Sequence, residues 1–90
     1  MKFAGVELTA ESIRAAHLWF AENARACIAE MERGEVTVND PEGYRAWRES
    51  HAAEHEAHAN GTATEEYRYS VGFMQRAHTI QTGECVALLP

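Results

Sequence analysis

The sequence predicts a mainly α-helical fold, a small three-helix bundle with short extended pieces at its N- and C-terminal ends. Three observations lead there. Apolar side chains recur at i, i+3, i+4 and i+7 along residues 10–33, with no proline or glycine between them. Asp40-Pro41 and Asn60-Gly61 bracket a second stretch as start and stop signals. Thr62-x-x-Glu65 has the form of a capping box ahead of a third. Ninety residues with 46% hydrophobic and 24% charged side chains make one globular domain, residues 1–90, rather than a disordered chain.

Residues 2–8 are short, apolar and glycine-containing, which suits an extended arm or a short strand. Thr9 then offers an N-cap oxygen, and Glu11 lies in the first turn of the helix that follows. Ile13, Ala16, His17, Phe20, Ala24, Cys27, Ile28 and Met31 form its apolar stripe, and Gly34 ends it. This first helix is expected over 9–33. Leu18 and Trp19 lie off that stripe and need cover, from a second chain or partner protein as the favoured reading or from another helix of the same chain.

Residues 35–39 alternate and read as a brief strand or an extended link. The second helix is expected over 40–60, with Gly43 weakening its first turn and with Tyr44 and Trp47 packed on the first helix. Tyr67, Val71, Met74 and His78 fit a third helix over 63–82, closed by Gly83. Tyr67, Tyr69, Val71 and Phe73 also alternate with Arg68, Ser70 and Gly72, which is the period of a strand. The alternative fold is therefore α+β, with a C-terminal β-hairpin from residues 67–88. The apolar tail, Cys85 to Pro90, is expected to pack on the body or on a neighbour.

The net charge is −6, of which −4 falls within residues 34–61. An acidic chain with no basic stripe lacks the phosphate-neutralising footprint of a nucleic-acid binder. No apolar run reaches the length of a membrane span or a secretory signal, so a cytoplasmic protein is expected. Cys27 and Cys85 form no paired motif and read as two free thiols.

The chemistry-bearing residues gather in the second helix. Tyr44, Trp47, His51, Glu54, His55 and His58 fall on one stripe within an arc of about 100°. His51-Ala52-Ala53-Glu54-His55 matches the HxxEH pattern, in which two imidazoles one turn apart hold a metal and the glutamate serves as a base. A chain this short has little room for the cleft and the distant carboxylate ligand that such peptidases use, so no enzyme is expected. A non-catalytic zinc site at His51, His55 and His58 is the alternative. The blander arrangement is a half-exposed helix with His51–Glu54 and Glu54–His58 side-chain pairs. His17 and His78 lie on apolar stripes and are expected in the core, as are Phe20, Met31 and Met74. No phosphate-binding loop and no nucleophile elbow occurs.

The expected role is a non-enzymatic, acidic protein–protein interaction or regulatory module without a cofactor, acting as a homodimer. In one form it is a small inhibitor occupying a basic surface of a nucleic-acid-handling protein, a role that phage-encoded antagonists of this size and charge perform. That parallel is one of class, since no motif carries it. Leu18, Trp19, Glu49, Glu54 and Glu56 are the candidate partner-binding residues.

Overall fold

In a computed structural model that describes residues 1–86, the chain forms a two-stranded hairpin followed by three helices. Strands β1 (Lys2–Phe3) and β2 (Val6–Glu7) pair antiparallel, with Phe3 opposite Val6. The turn between them needs two consecutive positive φ angles, supplied by Ala4 at 50° and Gly5 at 77°. Helices α1 (Ala10–Glu32), α2 (Pro41–Asn60) and α3 (Val71–Thr82) make the body, so the mainly α, three-helix expectation holds.

Each helix start is capped by a side chain. The Thr9 hydroxyl accepts from the Ser12 amide at 3.1 Å, Asp40 from Gly43 at 3.1 Å, and Ser70 from Phe73 at 3.1 Å. Gly43 has a use the sequence reading missed. A Cβ there would meet the Asp40 carboxylate, so glycine lets the cap fold onto its own first turn. Residues 35–39 form no strand and serve as the link.

The third helix corrects its expected start. Thr62 caps nothing: its amide and that of Ala63 both donate to the Ala57 carbonyl, at 2.9 and 3.2 Å, and so close α2. Residues 62–70 then run without regular structure, and α3 begins only after Ser70. The alternation of Tyr67 and Tyr69 marks an extended segment that lays two rings on the core, not a strand. The hairpin over 67–88 is overturned because 71–82 is helix. Its last two positions, and the tail beyond Val86, lie outside the described residues. Ser70→Ala should cost about 1 kcal/mol, the usual loss for a helix cap. Thr62→Ala should cost less than half of that, and urea melts of the two variants check the difference.

Helix α1 is the spine. Along one side Ala21 and Ala24 meet Ala52 of α2, three small residues that let the helices approach closely. On another side Ala16, with Leu8, meets Phe73 and Ala77 of α3. Phe3, Ile13, Phe20, Tyr67 and Met74 pack around that cluster. His17, His78 and Met31 are buried as expected, whereas Phe20 and Met74 are half-buried. Gln81 ties the end of α3 to the start of α1, accepting from the Thr9 amide and the Ser12 hydroxyl and donating to the Glu7 carbonyl.

Helix α2 is joined to the rest differently. Only Ala52 of its twenty residues is buried. Trp47 is five residues from Ala52, about 140° around the helix. It therefore does not pack on α1 as expected, and it stands 52% exposed. Ring contacts of His55 and His58 and a set of exposed ion pairs join α2 to α1. Arg25 of α1 reaches both Glu49 at 2.9 Å and Glu56 at 2.7 Å, and Arg45 reaches back to Glu32 at 2.9 Å.

Candidate functional site

Two arrangements carry chemistry, toward opposite ends of the one stripe of α2 that holds Trp47, His55 and His58. Toward its C-terminal end His55 and His58 meet His17 of α1. The Nδ1 atoms of His17 and His55 lie 3.0 Å apart, close enough for one proton between them. The His58 ring stacks on His17 with centroids 5.2 Å apart and 15° between planes. Tyr67 and Phe73 close the cluster, with centroids 4.8 and 4.5 Å from that of His17. Burial first, then the proximity of His55 and His58, push the His17 imidazole down from 6.5 to about 4. Burial also lowers His55, opposed by Glu54 and assisted by His51 and His58. His17 is therefore neutral at pH 7.

The sequence reading placed His17 in the core but did not foresee its partners. Its position on the apolar stripe of α1 was the available signal, because a buried imidazole needs a polar neighbour. The anticipated His51–Glu54 and Glu54–His58 pairs are not among the ion pairs of the described residues. The ring neighbour of His51 is Trp47, centroids 4.6 Å apart, so His51, His55 and His58 face different surroundings. Among the described residues, no group of three or more His, Cys, Asp or Glu side chains is gathered in a metal-holding arrangement.

Toward its N-terminal end, where Trp47 faces outward, α2 presents an aromatic and charged surface. Arg48 lies over the rings of Trp47 and Tyr44, 4.8 and 5.4 Å from their centroids, and its Nε donates to the Tyr44 hydroxyl at 3.2 Å. The guanidinium stiffens the aromatic pair while leaving the indole in solvent. Glu54 is exposed two turns further along, a rise of about 10 Å. It has no cation partner among the described residues, and with Glu65 it lines an open cleft of about 360 Å³.

The other candidate contact residues are occupied internally. Glu49 and Glu56 hold Arg25. Hydrogen bonding to that guanidinium lowers the Glu56 carboxyl below its usual range. Leu18 and Trp19 are half-buried, and Arg76 of α3 lies 3.9 Å from the Trp19 ring centroid. Much of the cover expected from a second chain is thus supplied by α3, through one long side chain.

Among the described residues, no helix is long and apolar enough to cross a membrane. No family model, no curated protein and no solved structure matches the chain.

Proposed function

We propose that this protein is a non-enzymatic, acidic interaction module that works by docking the outer face of α2 onto another protein. One observation carries the reading. A twenty-residue helix buries a single alanine and leaves Trp47, braced by Arg48, half in solvent beside an unpaired glutamate. Tryptophan and arginine are the side chains that most often anchor protein interfaces, and a braced indole loses little freedom on binding.

The carboxylates give the partner its character. Glu54 and Glu65 share the cleft beside α2, and the chain as a whole carries −6. A partner with a basic surface, as nucleic-acid-handling proteins have, is the complementary one, and covering that surface would inhibit it. Two unpaired thiols, Cys27 and Cys85, accord with a cytoplasmic site of action. The metal reading would require His51 to leave Trp47 and join His55, so it is the less economical one. A homodimer built on the same face is a further arrangement of the same surface.

The test captures partners with the immobilised wild-type chain, purifies the captured protein and measures its affinity. Glu54→Lys should weaken binding about tenfold at low salt, and the loss should shrink in 0.5 M salt. Equal affinity for wild type and Glu54→Lys at low salt would remove the acidic half of the proposal. Glu49→Lys and Glu56→Lys should instead lower thermal stability, because each breaks part of the Arg25 clamp.

A further inference from the structure

A separate feature lies between the first turns of α1 and the last turn of α2, away from the Trp47 face. Here a cleft of about 520 Å³ is lined by Ile13, Arg14, His17, His58, Asn60 and Tyr69 among others. Most of its polar lining is spare. Arg14 uses Nε to hold the Ala59 carbonyl at 3.2 Å, and its two terminal nitrogens have no carboxylate partner among the described residues. Tyr69 is 41% exposed, and its hydroxyl makes no hydrogen bond to another described residue.

His17 is the telling member. It is 97% removed from solvent, being 3% exposed, yet only its Nδ1 has a protein partner. Among the described residues, no buried side-chain nitrogen or oxygen is left without a partner. The other ring nitrogen, Nε2, is therefore not fully enclosed, and this cleft is the opening that His17 lines. A deeply placed imidazole whose second nitrogen is left to solvent is a recognition point, because a ligand atom can take the place of the water it meets.

We infer that this cleft binds a small aromatic carboxylate bearing a ring hydroxyl. The carboxylate pairs with the terminal nitrogens of Arg14, whose planar fork matches it in two hydrogen bonds. The ring lies among His58, Tyr69 and Ile13, where aromatic and apolar faces meet it. The hydroxyl meets His17 Nε2. The proton between His17 and His55 can sit on either Nδ1, so Nε2 is an acceptor in one tautomer and a donor in the other. A hydroxyl satisfies both. This site does not depend on the Trp47 face, and either can fail without the other.

The test uses 4-hydroxybenzoate as the probe, followed by NMR of the imidazole and tyrosine ring protons at pH 7.5. A ligand of ten heavy atoms should bind with a Kd of about a millimolar, moving the His17, His58 and Tyr69 signals along one saturable curve. Arg14→Gln should weaken 4-hydroxybenzoate at least tenfold while leaving 4-hydroxybenzamide unaffected, because the amide carries no charge for Arg14 to hold. Tyr69→Phe, which keeps the ring on Phe73, should leave the fold and the binding of the probe nearly unchanged, whereas Tyr69→Ala should weaken binding. Benzoate, which lacks the hydroxyl, should bind less tightly than the probe. Absence of a saturable shift, movement of signals elsewhere only, or equal affinity in Arg14→Gln overturns the assignment.

Discussion

Lowering the pH from 7.5 to 5.0 should cost the folded protein about 2 kcal/mol through His17 alone. The direction follows from where the protons bind. Burial and two neighbouring imidazoles hold the folded His17 near 4, whereas the unfolded side chain titrates near 6.5. Between those values the unfolded chain binds the extra proton, so stability is full above pH 6.5 and drains away toward pH 4. The full difference, close to the lower value, is about 3 kcal/mol. His55, also depressed, adds to the loss in the same direction. For a domain of this size a loss of 2 kcal/mol lowers Tm by roughly 10 °C. His17→Phe keeps a ring in the aromatic cluster and removes its proton site. Its Tm should fall by half as much or less between the same two pH values. Equal acid sensitivity in wild type and His17→Phe, by calorimetry, would remove His17 as the cause.

Phe73→Ala should cost about 3–5 kcal/mol, the range for deleting a buried aromatic side chain. Phe73 is the one large side chain of the described residues that is fully buried, at 1% exposure. It lies at the meeting point of all three helices and the 62–70 link: centroids of Phe20, His17, His55 and Tyr67 lie within 5.6, 4.5, 6.3 and 5.0 Å of its own. A ninety-residue domain has about 5–13 kcal/mol of stability in total, so the variant should be partly unfolded at 37 °C. Ile80→Ala, on the exposed side of the same helix, should change stability by about 0.5 kcal/mol or less. Near-UV circular dichroism and urea melts of the pair check both. A Phe73→Ala protein with the wild-type melting midpoint would contradict this account of the core.

Helix ends were legible wherever a strong cap met a strong break. Thr9, Asp40-Pro41, Asn60-Gly61 and Gly83 all mark true boundaries because each satisfies orphan backbone groups locally. Thr62 misled for the same reason. Its amide was already taken by the carbonyl of Ala57 closing the preceding helix, and the weaker-looking Ser70 caps α3.

The contact face of α2 was not legible, and its physical reason is the small size of Ala52. Hydrophobic spacing weights large side chains, so the aromatic stripe drew the eye, while α1 and α2 approach through alanines that carry little signal. Trp47 therefore moved outward, and Trp19 inward under Arg76. The candidate site followed the same pattern. The histidines of α2 stood out in the sequence, but their partner, His17, is thirty-eight residues from His55, and only the packing of α2 on α1 brings the two together.

The claim that α2 docks through its outer face is tested most directly by titrating the captured partner against wild type and Trp47→Ala. The indole is half in solvent, so its removal leaves the fold and its Tm nearly unchanged. As an interface anchor it is expected to contribute about 2 kcal/mol, so affinity should fall roughly thirtyfold. Affinity equal to that of wild type, with the fold intact, would contradict the account.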